Sequence, residues 1–343
     1  RNYNELLLQF THNINIFVGQ NAQGKTNILE AVYLMALGRS HRTALDEELI
    51  RLQEQAASVE IAFNRQDAEN IIQLKIIKNQ NKEILINGHL VKARELIGNL
   101  NAVLFSPEDL WLVKGSPVNR RRFLDNEISQ ASPSYHYQLL QYNRIIFQRN
   151  NLLKKIREGK ADRNLLDAWD GQMAKMAAAI MAKRLDVIKK LNMLANLMHR
   201  KITANRENLT ILYYQHGSSV GDVDPSSGWY QKKMEENRKN DIDRGSTGIG
   251  PHRDDLVLTV NGINLRIYGS QGQQRTGILA LKLAELEFIK SETGEYPVLL
   301  LDDVMSELDM LRREHLLTFI KDRIQTFITT TDKQYFPGQL AAK

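Results

Sequence analysis

A chain of 343 residues, 42% hydrophobic and 25% charged, has the balance of a folded globular protein with room for two domains or one large domain with an insertion. No run approaches the roughly 18 consecutive apolar residues of a membrane-spanning helix, and a complete lack of cysteine excludes disulfides and thiolate metal sites, as fits a cytoplasmic protein. The net charge of +6 is a mild basic excess whose position matters more than its size.

The chain opens on Arg1 rather than methionine, so a short piece beginning the first strand is expected ahead of it. The stretch HNINIFVGQNAQGKTNILEAVYLMALG, His12 to Gly38, reads as an apolar strand, a glycine-bounded loop and a helix closed by glycine. Inside it Gly19, Gln20, Asn21, Ala22, Gln23, Gly24, Lys25 and Thr26 form a complete G-x-x-x-x-G-K-[ST] between strand and helix. Its glycines let backbone N–H groups close around phosphates, and the helix N-terminus adds its dipole. Lys25 is expected to reach the β- and γ-phosphates of ATP and Thr26 to bind Mg²⁺, with Asn27 completing the nucleotide set. The plainer alternative is a glycine-rich helix cap. In the GRSHRT stretch that follows, His41 has no partner suggesting metal or acid–base work and reads as structural.

Alternating segments come next: Ala57–Phe63, Ile71–Ile77, and Glu83–Val91 with an Asn87-Gly88 hairpin turn. Asn101–Leu110 is another buried strand running into a turn. From Pro117 to about Ala204 glycine is scarce and the apolar residues keep helical spacing, as Met173, Met176, Ile180, Ile188, Leu191, Leu194 and Met198 do. Two or three long helices in a projecting bundle are expected, their apolar stripe serving as the core of that arm. Between Lys114 and Arg163, eleven basic residues face four acidic ones. This local excess points to a polyanion contact through phosphates rather than bases, by Arg120, Arg121, Arg122, Arg144, Arg149, Lys154 and Lys155. The Arg120–Arg122 triplet also reads as a solvated or core-tethered helix start.

After a strand at Leu209–Gly217 and a polar stretch to Gly245, the β pattern returns at Asp254–Ile267, with an Asn261-Gly262 turn. YGSQGQQRTGILALKLAEL, from Tyr268, is a polar loop entering an apolar-striped helix. Val298–Val304 then supplies four apolar residues and two acids, Asp302 and Asp303. Continuous apolarity fits a strand covered on both faces of a parallel sheet. Asp302 is expected to hold Mg²⁺, and Asp303 to orient or deprotonate the attacking water. A last strand is expected over Ile324–Asp332.

A P-loop, then SQGQ before a long helix, then LLLDD resembles the ABC-type ATPases. That resemblance implies that Ser270 and Gly272 touch the γ-phosphate of nucleotide held by a second copy, with Gln271 or Gln273 supporting the turn. Ser306–Asp309 resembles the dimer-contacting D-loop, which places Asp309 in the nucleotide set. Thr330 or Thr331 stands where such ATPases carry a phosphate-sensing histidine, Asp303 stands where transporter ATPases carry glutamate, and a convincing glutamine loop is missing. With the shorter Asp303, turnover below about one per second is expected.

Splitting of the nucleotide fold around a helical arm resembles the SMC-like ATPases. RNY at Arg1–Tyr3, the P-loop stretch, GRSHRT, LFSPEDLWLVKGSPVNRRRFLD, GPHRDDL, GSQGQQRT and LLLDDVMSELD resemble in detail the RecF family of bacterial recombination mediators. The resemblance implies nucleotide contact by Arg1, and coupling of DNA to nucleotide by Arg39 and Arg42, which also read as surface charges at a helix C-terminus. It further implies an ATP-dependent homodimer on double-stranded, gap or junction DNA, working with RecR and RecO to load RecA. The expected fold class is α/β: an ABC-type P-loop ATPase head built from both chain ends, 1–115 and 246–343, with an inserted helical arm domain at 116–245. Two rival readings are a transporter ATPase subunit, and an adaptor that uses ATP only to dimerise.

Overall fold

The computed structural model describes residues 1–10, 13–65, 68–219 and 221–336. His12, the first residue of the expected P-loop stretch, and 337–343 of the expected C-terminal head lie outside these. The chain divides into two compact units, Arg1–Asp109 with Lys282–Lys343, and Leu110–Leu281.

The first unit begins with β1 (Ile14–Val18), the P-loop and α1 (Lys25–Leu37). Gly38 ends α1 in the left-handed conformation, φ +68°, and its N–H caps the carbonyl of Leu34. An antiparallel sheet follows, of β2 (Ala56–Arg65), β3 (Ala68–Ile77), β4 (Glu83–Ile86) and β5 (His89–Val91). Ile86 pairs with His89 across the expected Asn87-Gly88 turn, whose φ values of +50° and +81° are those of a tight hairpin. Then comes β6 (Ala102–Phe105).

The second unit carries α2 (Trp111–Lys114), α3 (Pro117–Ala131), α4 (Pro133–Arg157), α5 (Leu166–Ile202), β7 (Leu209–Tyr214), α6 (Ser227–Arg244), β8 (Asp255–Val260), β9 (Ile263–Asn264), α7 (Leu265–Tyr268) and the start of α8 (Gln271–Thr293). Met173, Ile180, Ile188, Leu191 and Met198 are buried along α5, so the stripe is core, as expected. The arm is not purely helical. β7 pairs antiparallel with β8 over all six residues, Leu209↔Val260 to Tyr214↔Asp255. This pairing draws 246–281 into the arm unit, where the sequence reading had placed it in the head. Long-range strand pairing decides the boundary, and helical periodicity carries no sign of it.

The chain returns to the first unit through the rest of α8, then β10 (Val298–Asp302), α9 (Met310–Ile320) and β11 (Thr326–Thr330). β1, β11, β10 and β6 form one parallel sheet in that order. Leu299, Leu300 and Leu301 are at most 1% exposed, which accounts for the unbroken apolar run. All four strands end toward the same edge, the place where open α/β sheets bind ligands.

Candidate nucleotide site

The P-loop backbone is shaped by residues that accept positive φ. Gly24, at the N-cap of α1, has φ +92°, and a Cβ there would lie 2.9 Å from the Tyr3 hydroxyl. Ala22 is also left-handed, φ +66°. Among the described residues no side chain caps α1 at Gly24 and its first turn holds no acidic residue, which leaves this N-terminus suited to a phosphate. Lys25 folds over the loop and donates to the carbonyls of Gly19 (2.6 Å) and Gln20 (2.7 Å). The ammonium therefore already lies inside the cradle. Asn2 donates to the Ala22 carbonyl and Tyr3 to that of Gln23, so the RNY segment packs on the loop from outside.

The two acids arrive on β10. Thr26 Oγ1 donates to Asp302 Oδ1 at 2.9 Å, joining residues 276 positions apart. Thr329, which pairs opposite Asp302 in the sheet, donates to the same oxygen at 2.6 Å. The Asp303 N–H reaches the Thr329 Oγ1 (3.0 Å), and Asp303 itself is left-handed, φ +52°. Its carboxyl is pushed above the usual aspartate range by burial, and next by the Asp302 charge, against the pull of Lys25. Asp303 Oδ1 is buried with no hydrogen-bond partner among the described residues. That oxygen is suited to hold a water.

Among the described residues no group of three or more His, Cys, Asp and Glu could hold a metal on its own. A hydroxyl and a carboxylate oxygen 2.9 Å apart nevertheless fit Mg²⁺, which takes few protein ligands and completes its shell with water and phosphate.

The signature loop is a reciprocal helix cap. Ser270 N–H donates to Gln273 Oε1 (3.0 Å), and Gln273 N–H donates to Ser270 Oγ (3.2 Å). Gly269 is obligatory, because a Cβ would lie 2.5 Å from the Leu265 carbonyl oxygen. Ser270 and Gln271 are exposed at the start of α8, whereas Gln273 also reaches Glu207 (2.8 Å). Asp309 caps α9 through the Arg312 N–H (2.9 Å) and pairs with the Arg312 guanidinium.

The expected sensors and couplers have partners within the chain. Thr330 is buried and its hydroxyl closes a turn with Asp332, leaving Thr329 as the threonine that touches the acids. Strand alternation could have selected Thr329, since neighbours in a strand face opposite ways. Arg1 donates to Glu30 (3.1 Å), and Arg42 to Asn27 (3.2 Å) and Glu30 (3.5 Å). Glu30, buried on α1, had no signal in the sequence beyond its i+4 spacing from Thr26. His41 packs edge-on against Tyr33, and burial lowers its pKa, in keeping with a structural histidine. Asp109 is fixed by the Ser106 N–H (2.8 Å) and Lys282 (3.2 Å).

The basic set of the arm separates cleanly. Arg149 is fully buried and paired with Asp170 and Asp241 at 2.7 Å each. Arg120 is 4% exposed and forks onto Asp255 (2.7 and 2.9 Å). Both are corrections to the expected phosphate contacts: their acids come from distant segments, so a local charge count could not cancel them. Arg121 is half-buried and donates to the Asp254 carbonyl (2.6 Å). Arg122, Arg144, Lys154, Lys155 and, in the head, Arg39 are exposed.

GPHRDDL, whose role the sequence left open, knots the arm together. Pro251 O accepts from Arg184 (2.7 Å), Asp254 Oδ2 accepts from Tyr213 (2.6 Å), and Arg253 donates twice to the Thr247 carbonyl. His252 Nε2 faces the Thr247 carbonyl, so it carries the proton, and Nδ1 accepts from Tyr142 (2.8 Å). Burial lowers the His252 pKa to about 3.

The chain is similar to known proteins along nearly its whole length. The RecF/RecN/SMC N terminal domain family model matches residues 1–339. "DNA replication and repair protein RecF" of Halothermothrix orenii is 51% identical over 339 residues, covering 97% of this chain and 90% of that protein. The solved structure of the recombination mediator protein RecF-ATP in the RecFOR pathway superposes with a TM-score of 0.92 at 38% identity, covering 98% of this chain and 91% of that one. An Smc head bound to the C-winged helix domain of ScpA shares the fold, with a TM-score of 0.51 at 16% identity over 93% and 82% of the two chains. Among the described residues no helix is long and apolar enough to cross a membrane.

Proposed function

From the premise that this chain belongs to the RecF family, a branch of the SMC-like ABC-type ATPases, we propose that it is a slow ATPase that binds DNA in recombinational repair. The observation that carries the reading is the Thr26–Asp302 hydrogen bond, which joins the P-loop to the acidic strand in one oxygen-lined site. In the proposed cycle Lys25 exchanges the Gly19 and Gln20 carbonyls for β- and γ-phosphate oxygens, and the open N-terminus of α1 takes the remaining phosphate charge. Thr26 and Asp302 would hold Mg²⁺, which neutralises charge on the phosphates. Asp303, with its raised pKa and unpartnered Oδ1, orients the attacking water and accepts its proton. Ser270 and Gly272 of a second copy close the site, with Gln271 at the same exposed helix start and Asp309 at the contact between copies. ATP thereby drives a homodimer.

DNA contact falls to Arg122, Arg144, Lys154 and Lys155, exposed cations suited to phosphates rather than base edges. The RecFOR pathway named for the similar solved protein supports RecR and RecO as partners, and gap or junction DNA is the proposed site at which they load RecA.

Light scattering without nucleotide, and with ADP, ATP, or ATP plus duplex DNA, tests the reading. A dimer with ATP alone among the nucleotides, abolished by Lys25→Met or Ser270→Arg, is the expected result. A mass indifferent to bound ATP would return the Ser270 loop to being a helix cap only.

A further inference from the structure

Glu30 is a buried carboxylate with more cations than it can neutralise. It sits one turn beyond Thr26 on the same face of α1 and is 4% exposed. Ser40 Oγ donates to its Oε1 at 2.5 Å, and the same hydroxyl accepts the N–H groups of Arg42 (2.9 Å) and Thr43 (3.2 Å). The loop after α1 is thus folded around one serine that hangs on Glu30. Arg1 reaches Oε1 at 3.1 Å and is 24% exposed, whereas Arg42 reaches Oε2 at 3.5 Å and is 42% exposed. Arg42 divides its donors between Glu30 and Asn27, the residue after Thr26. Two guanidinium groups on one carboxylate leave a surplus positive charge beside the P-loop, and the longer, more exposed contact is the one that yields.

We propose that Glu30 is a positioning residue that presents Arg1 and Arg42 together as a guanidinium pair for a phosphate oxygen, with Ser40 tying the 38–43 loop to the same carboxylate. Guanidinium suits this task because its planar fork binds phosphate oxygens in pairs. The phosphate belongs to nucleotide or to a nucleic-acid backbone, and the two sources are separable. The inference rests on the nucleotide reading above.

The 343-residue chain is tested as Glu30→Gln, Ser40→Ala, Arg42→Ala and the Glu30→Gln/Arg42→Ala pair, beside Lys25→Met. Labelled ATP and labelled duplex are titrated separately, and steady-state kcat and KM are measured. If the phosphate is the nucleotide's, Glu30→Gln raises KM and weakens ATP binding about tenfold while kcat changes less than about threefold, and adding Arg42→Ala costs nothing more. Ser40→Ala moves the same quantities in the same direction by about threefold, and it carries the test if Glu30→Gln does not fold. If the phosphate is DNA's, ATP binding stays and duplex binding falls about tenfold with a salt slope reduced by about 1. Unchanged ATP and duplex binding in both Glu30→Gln and Ser40→Ala, with Lys25→Met defective for ATP, overturns the role of Glu30 and leaves the nucleotide site standing. A wild-type chain that binds no ATP overturns both.

Discussion

Cations are used in opposite ways at the P-loop and inside the arm. At the P-loop, Lys25 rests on two carbonyls and Arg1 and Arg42 share one carboxylate, all at least partly exposed. In the arm, Arg149 meets Asp170 and Asp241 with no exposed surface, and Arg184 spends its donors on Asp125, Tyr135, Tyr213 and Pro251. Carbonyl contacts and shared carboxylates are exchangeable, because a phosphate offers the same cation a better partner. A cation buried between two acids has nothing better to move to, and removing it strands their charge. Exchangeability marks the working region and full internal pairing marks the frame.

Four measurements would break or sharpen that contrast. The largest effect is expected from Arg149→Met, which should destabilise the chain by about 3–5 kcal/mol in urea unfolding, because buried Asp241 loses its cation and Asp170 keeps only Arg238. A cost under about 1 kcal/mol would mean the arm pairs are as dispensable as surface ones. Asp303→Asn should lower kcat about a hundredfold, a fall of about 2.7 kcal/mol in transition-state stabilisation, while ATP affinity holds.

Lys25→Met should weaken ATP binding about thirtyfold, about 2 kcal/mol, yet leave unfolding stability within about 0.5 kcal/mol. Equal losses in binding and stability would erase the distinction between regions. The smallest effect is expected at His252. Its folded pKa lies far below its unfolded value, so unfolding takes up a proton below about pH 6.5. The histidine's contribution is present above that pH and lost progressively as pH falls toward about 3. Melting temperature should drop by a few degrees between pH 7 and 5, and less in His252→Gln.

The sequence was most legible where function requires adjacency in the chain. The P-loop, the acidic strand and the two Asn-Gly hairpins are local patterns, and each lies where its spacing indicated. Thr329 was not singled out, because which threonine meets Asp302 depends on the register of β11 against β10. Glu30 and the arm boundary were not legible, since one depends on Ser40 and Arg42 folding back and the other on a strand pairing across more than forty residues. Arg120 and Arg149 were misread for a related reason. Helical spacing placed Arg149 beside exposed cations in the chain, and only the folded arm brings Asp170 and Asp241 to it.

Arg149 lies on α4, Asp170 on α5 and Asp241 on α6, so one guanidinium pins three helices at a single level. Sliding α4 by one turn, about 5.4 Å, would carry the guanidinium past both acids, leaving Arg149 and Asp241 buried without an opposite charge and Asp170 with Arg238 alone. These helices therefore cannot ratchet along one another in small steps. The bundle is keyed like a tumbler lock, in which one pin fixes the axial register of three helices.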